Sequence, residues 1–174
     1  TVIRLCKGEF EEISVSGATI AAGAGVRFKR ISNIAKNNGV GGFEWMEGIP
    51  GNVGGGLRMN AGAMGYQTFD QVVSVRYVDA DGDLHEKSGR EFCAQYRNVP
   101  ELIENFALSA VFCGSLSSSE EIEGRIKASM DKRRMSQPVA ACAGCIFKNP
   151  ETIPAGKLIE ELGLGGAQAG AARV

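Results

Sequence analysis

Residues 47–65 read EGIPGNVGGGLRMNAGAMG, and seven of them are glycine. Glycine loses more conformational freedom on folding than any other residue, and a single turn needs only one or two of them. A cluster permits something else. Backbone N–H groups can gather round a concavity, and a ligand can approach the main chain with no Cβ atoms in the way. That suits a pyrophosphate. Arg58 is the only basic residue in the segment, so main-chain dipoles rather than point charges are expected to hold the anion. The segment predicts a nucleotide-phosphate cradle.

Three other patterns invite chemistry and lose most of it on inspection. Cys142 and Cys145 form a C-x-x-C pair, but two thiolates are half of a structural zinc site, and no second pair or nearby His completes it. A redox pair stays open, although the flanking AGCIFKNP is not the usual strand-to-helix setting. No metal is expected. Gly23 and Gly25 begin a dinucleotide fingerprint that fails at Phe28, where its third glycine belongs. DADGDLHEKSGR starts like a calcium loop, but Arg90 stands where the last acidic ligand would be, so a hairpin turn is expected. His85, the only histidine, lies on the outgoing arm of that hairpin as a solvated side chain, and no His-based triad can be assembled.

The elements that must position the cradle follow from periodicity. EEISVSGATIAAGAGV predicts two short strands around Gly17. Phe28, Ile31, Ile34 and Ala35 recur at helical spacing, with Gly39 as a stop. Val73, Val75 and Tyr77 alternate before an Asp81-Gly82 turn, and NFALSAVFCG reads as a further strand. Ser118 and Glu121 form a capping box for a helix that carries Ile122, Ile126 and Met130 and stops before Pro138. A last short helix starts near Pro154 and ends at Gly163. The fold class is α+β. A composition break near Phe69–Asp70 predicts two domains, residues 1–69 and 70–174.

Composition sets the outer limits. The chain has 174 residues, 44% apolar and 22% charged, the balance of a folded protein with a real core. A net charge of -1, and no basic aromatic surface, give no sign of a nucleic-acid partner, and no apolar run approaches a membrane span. The start, TVIRLCKGEF, lacks the pattern of a signal peptide and reads as a strand under way. Five cysteines, an odd number, favour a reducing compartment, with the cytoplasm as the default. Oligomeric state is not legible.

The glycine segment, together with GATIAAGAGVRFKRISNIAKNNGVGGFEWMEGIPG before it and CAQYRN and AGCIFKNP…AGKLIEELGLGG after it, resembles the UDP-N-acetylenolpyruvoylglucosamine reductase (MurB) family. The resemblance spans nearly the whole chain. It implies part of a vanillyl-alcohol-oxidase/PCMH-type FAD-binding domain followed by an α+β substrate-binding domain. It also implies that NADPH reduces FAD, which then reduces UDP-N-acetylenolpyruvoylglucosamine to UDP-N-acetylmuramate in peptidoglycan precursor synthesis. Carried onto this sequence, the flavin signature falls on Gly48, Ile49, Pro50, Gly51, Val53, Gly54, Gly55, Asn60, Ala61, Gly62 and Gly65. Arg97 matches the family's YR motif and would meet charge developing on the substrate carboxylate, with Tyr96 beside it in the substrate site. Cys145 stands where the family usually has a Ser that protonates the product carbon; a thiol is a stronger acid than a hydroxyl and can serve as donor. Asn149, and less directly Lys148, match positions that contact the UDP-sugar. Cys142 then becomes a small packed residue. The short span from Arg97 to Cys145 resembles the family branch without an extra substrate-covering loop. The family's opening GGGSN-like loop and closing catalytic Glu are not in this sequence, so an interior piece of such an enzyme is expected. An incompetent fragment and a flavin-linked oxidase of the same fold are the alternatives.

Overall fold

The computed structural model describes residues 4–136 and 144–174. Strands Ile13–Ser16 (β1) and Thr19–Gly23 (β2) form a hairpin that turns at Gly17, whose φ of 56° only glycine adopts freely. Helix Phe28–Asn37 (α1) follows. It buries Phe28, Ile31 and Ala35 and half-buries Ile34, and Gly39 ends it with a φ of 66°. After the short strand Val40–Gly41 (β3), the glycine-rich segment forms helix Val53–Arg58 (α2) and a tight hairpin of Gly62–Ala63 (β4) and Tyr66–Gln67 (β5). Strands Val72–Val78 (β6), Leu84–Ser88 (β7) and Phe106–Cys113 (β8) complete a five-stranded antiparallel sheet in the order β1-β2-β8-β6-β7.

Cross-strand register places the core. Ile20 opposes Phe112 and Ala22 opposes Ala110, which in turn opposes Val75. These side chains share one face and are at most 3% exposed. Phe28, Ile31, Trp45, Val53 and Leu57 close over them, with Phe28 edge-on to Trp45 at 5.9 Å. Val73 does not join that face. A register shift between Val72 and Ser74 turns it outward, 45% exposed, and Val72 is buried in its place.

The strand Ser115–Leu116 (β9) pairs with β3, and helix Ser119–Ser136 (α3) starts from the expected capping box. Ser118 Oγ accepts the Glu121 N–H at 3.2 Å, and the Glu121 carboxylate accepts the Ser118 N–H at 3.1 Å. On this helix Ile122 is buried, Ile126 half-buried and Met130 exposed; Pro138 lies outside the described residues.

The chain divides into two compact units, residues 1–137 and 138–174. The boundary expected at residues 69–70 falls inside the first of them, because β6, β7 and β8 hydrogen-bond into one sheet with β1 and β2. A change in composition marked the end of the glycine-rich run, not the end of a core. The second unit holds helix Ala155–Glu161 (α4), closed by Gly163 at a φ of 67°, and a small hairpin of Gln168–Ala169 (β10) and Ala172–Arg173 (β11). No helix among the described residues is long and apolar enough to cross a membrane.

The DADGD turn is built by its own acids. Asp79 accepts the N–H groups of Asp81 and Asp83 at 3.0 and 2.9 Å, and Gly82 supplies the positive φ. His85 is not simply solvated: its Nε2 lies 2.6 Å from Asp79 Oδ2, and its ring stacks on Tyr77 at 5.1 Å.

Candidate functional site

The glycine-rich segment is strapped along residues 24–28. Val53 donates to the Val26 carbonyl and Gly54 to that of Ala24, both at 2.9 Å, while Phe28 donates to Gly51 at 3.0 Å. The three consecutive glycines then have different surroundings. A Cβ on Gly54 would press on Ala24, and one on Gly56 would collide with the Phe28 ring. Gly55 has nothing near its missing Cβ. Gly54 and Gly56 let α2 approach α1 and β2, and Gly55 keeps the outer side bare.

That bare side lines a cavity of about 590 Å³ shared by Gly54, Gly55, Asn52 and three arginines, Arg4, Arg27 and Arg58. A second cavity of about 460 Å³, lined by Arg27, Lys29, Glu47 and residues 48–52, shares Arg27 and Asn52 with the first. Point charges therefore accompany the backbone dipoles, which corrects the expectation that dipoles alone hold an anion here. Arg4 and Arg27 lie too far from the segment in sequence to be read with it. Arg27 had one local signal. It occupies the N-cap of α1 without a side-chain cap bond, Lys29 and Arg30 follow it, and the first turn has no acid. Helix starts favour Ser, Thr, Asp or Asn at the cap and negative charge in the first turn. A cationic start breaks that rule and suits a bound anion. Lys29 is partly neutralised by Glu47 at 3.0 Å. Among the described residues, Arg58 Nη1 and Glu47 Oε2 are buried without a hydrogen-bond partner.

The rest of the expected flavin signature behaves differently. Gly48, Ile49, Pro50 and Gly51 line the second cavity. Val53 and Asn60 are fully buried, so neither side chain is presented to a ligand. Asn60, Ala61, Gly62 and Gly65 line neither cavity. Gly62 is needed because a Cβ there would meet the Tyr66 carbonyl, and Gly65, with Met64, makes a two-residue turn at φ values of 86° and 57°. The Ala61 carbonyl accepts both the N–H and the hydroxyl of Thr68, at 2.9 and 2.8 Å.

Arg97 reaches this hairpin from a distant part of the chain. Gln95 and Asn98 exchange backbone hydrogen bonds at 2.8 and 3.2 Å and hold Tyr96 and Arg97 as a tight turn. Arg97 adopts a φ of 55°, unusual for a residue with a side chain. Its Nη2 lies 3.3 Å from the Gly62 carbonyl and its Nη1 3.5 Å from that of Asn60, and its guanidinium carbon sits 4.9 Å over the Tyr96 ring.

In the second unit, Cys145, Asn149, Ala155, Gly156, Ile159 and Arg173 help line a largely apolar cavity of about 590 Å³. Cys145 carries a free, exposed thiol. Asn149 Oδ1 accepts the Ala155 N–H at 3.0 Å, satisfying one of the unpaired donors at the start of α4. Lys148 is exposed and does not line the cavity. Cys142 lies outside the described residues, so the geometry of the C-x-x-C pair does too.

Comparison with known proteins gives the setting. Residues 1–88 match the family model of the FAD binding domain, and residues 137–174 match that of the UDP-N-acetylenolpyruvoylglucosamine reductase C-terminal domain. The UDP-N-acetylenolpyruvoylglucosamine reductase of Alkalilimnicola ehrlichii is 36% identical, over 100% of this chain and 58% of its own. That of Clostridium tetani is 37% identical, over 99% of this chain and 56% of its own. The chain spans little more than half the length of these curated relatives. The crystal structure of UDP-N-acetylenolpyruvylglucosamine reductase from Thermus caldophilus superposes with a TM-score of 0.85 at 32% identity, covering 97% of this chain and 61% of that one.

Proposed function

The chain belongs to the UDP-N-acetylenolpyruvoylglucosamine reductase family, and from that premise we propose that it serves the FAD-dependent reduction of UDP-N-acetylenolpyruvoylglucosamine to UDP-N-acetylmuramate. NADPH is the reductant, and the reaction belongs to peptidoglycan precursor synthesis in the cytoplasm. The observation that carries this reading is the cavity in which Gly54 and Gly55 expose bare backbone beside Arg4, Arg27 and Arg58.

The residues present fit FAD. Its diphosphate is anionic, the cavity gathers three arginines against one carboxylate, Glu11, together with the start of a helix, and Arg58 keeps a buried nitrogen without a partner. When bound, FAD carries hydride equivalents from NADPH to the enolpyruvyl double bond. Hydride addition to an unsaturated acid builds charge towards its carboxylate. Arg97, steadied by the Asn60 and Gly62 carbonyls and by the Tyr96 ring, presents its remaining N–H groups to that charge. Cys145 gives the proton of its Sγ to the carbon beside the carboxylate. Asn149, whose oxygen caps α4, keeps its amide N–H groups for the UDP-sugar, with Lys148 beside it in sequence as a less direct contact.

Anaerobic reduction followed by substrate addition tests the proposal. NADPH should bleach the flavin, and UDP-N-acetylenolpyruvoylglucosamine should restore its colour with formation of UDP-N-acetylmuramate. Restoration by dioxygen alone, with the enol ether recovered unchanged, would assign the site to oxidase chemistry instead.

A further inference from the structure

Helix α2 ends in a way that reveals a purpose for Asn60. The Asn60 N–H bonds to the Leu57 carbonyl at 3.1 Å, and the Ala61 N–H bonds to that of Gly56 at 2.9 Å. This pair of bonds defines a helix end closed by a left-handed residue, and Asn60, at a φ of 40°, is that residue. Glycine is the usual occupant, and it is abundant in this chain. Asparagine tolerates the conformation too, but brings a side chain that must be satisfied when buried.

Here that side chain is wholly buried and fully engaged. Its Oδ1 accepts the Phe69 N–H at 3.1 Å; its Nδ2 donates to Gln67 Oε1 at 2.9 Å and to the Gln95 carbonyl at 3.2 Å. Gln95 closes the turn that carries Arg97, and the Asn60 carbonyl itself accepts from Arg97 Nη1. One residue therefore joins three things: the helix whose Gly54 and Gly55 line the arginine-bearing cavity, the β4–β5 hairpin, and the Arg97 turn. The non-glycine residues at positive φ among those described are Asn60, Met64 and Arg97, all within this junction. Such conformations persist only where the surroundings over-determine them, and they gather at sites where geometry matters.

We propose that Asn60 is the positioning residue for Arg97, holding its turn at a fixed place relative to α2 rather than contacting the cofactor. The proposal rests on the reductase reading, in which Arg97 meets the substrate carboxylate. Residue chemistry supports the choice of Asn. Asp would accept from Phe69 but cannot donate to Gln95, and Gly would end the helix but hold nothing.

The test compares wild-type and Asn60→Asp holoenzymes in three readouts: flavin retained per chain, rate of flavin reduction by NADPH, and kcat and KM for the enol ether. The amide of Gln67 can turn to donate to the new carboxylate, so the substitution removes the hydrogen bond to the Gln95 carbonyl. Retained flavin, an unchanged NADPH step, KM within about twofold and a kcat lowered ~10–100-fold are expected. Lost flavin with unchanged turnover per bound flavin would make Asn60 a cofactor or purely structural residue and overturn the proposal; so would unchanged kinetics throughout. If the buried carboxylate prevents folding, Gln67→Ala removes one Asn60 partner at an exposed position and should lower kcat several-fold without loss of flavin. An unchanged kcat in that variant overturns the proposal as well. Absence of enol-ether turnover in the wild-type holoenzyme would instead remove the reductase reading itself.

Discussion

Phe28 lays its ring against the face of α2 that Gly56 leaves bare, and no Cβ fits between them. Gly56→Ala is therefore expected to destabilise the protein by ~1–3 kcal/mol through overpacking. Gly55 sits one residue away with open space beside it. Gly55→Ala should be neutral or stabilising by up to ~1 kcal/mol, yet should weaken flavin retention because its methyl enters the cavity. Denaturant melts and flavin content, read on both variants, separate a packing glycine from a ligand-facing one. The same defect in both would deny the distinction.

Arg97 adopts a left-handed conformation that a side chain makes costly. Arg97→Gly removes that cost, and Arg97→Ala keeps it while giving up the same guanidinium hydrogen bonds. The Gly variant should be more stable than the Ala variant by ~1 kcal/mol, with enol-ether reduction abolished in both. Equal thermal midpoints would show that the turn is not strained.

Acid sensitivity should trace in part to the β6–β7 turn. The hydrogen bond from His85, followed by those from the Asp83 and Asp81 backbone, holds the Asp79 carboxyl below the ordinary carboxylate range. A depressed folded-state value contributes stability above the unfolded-state value, and that contribution is lost as pH falls through the folded one. Asp79→Asn should thus lower thermal stability near neutrality, where the charged carboxyl contributes, and flatten the further loss below the ordinary carboxylate range. An acid limb as steep as that of wild type would place the effect elsewhere.

Cys145 stands where the resemblance to the family leads one to expect a Ser. If its thiol is the proton donor, Cys145→Ser should retain turnover and Cys145→Ala should lose it, with NADPH-driven flavin reduction intact in both. Equal turnover in all three proteins would take Cys145 out of the chemistry.

Local patterns in the sequence were reliable where local physics decides. The Gly17 hairpin, the α1 stripe, the Ser118–Glu121 box and the Gly163 stop all follow from nearest neighbours and periodicity, and all are present. What escaped was set at a distance. Val73 turned outward because of a bulge that no alternation pattern announces. Arg4, Arg27 and Arg58 meet only when the strap along residues 24–28 closes on α2. Asn60, read as part of a flavin signature, is buried as a helix end, a role fixed by hydrogen bonds to Phe69 and Gln95.

The most direct test of the cavity's role is the visible spectrum of the protein after FAD is added and the excess removed, measured beside Arg27→Ala and Arg58→Ala. A retained, perturbed flavin spectrum in wild type, diminished in both variants, is predicted. A folded wild-type protein that keeps no flavin, or variants that keep as much as it does, would contradict the assignment of this glycine- and arginine-lined cavity to FAD.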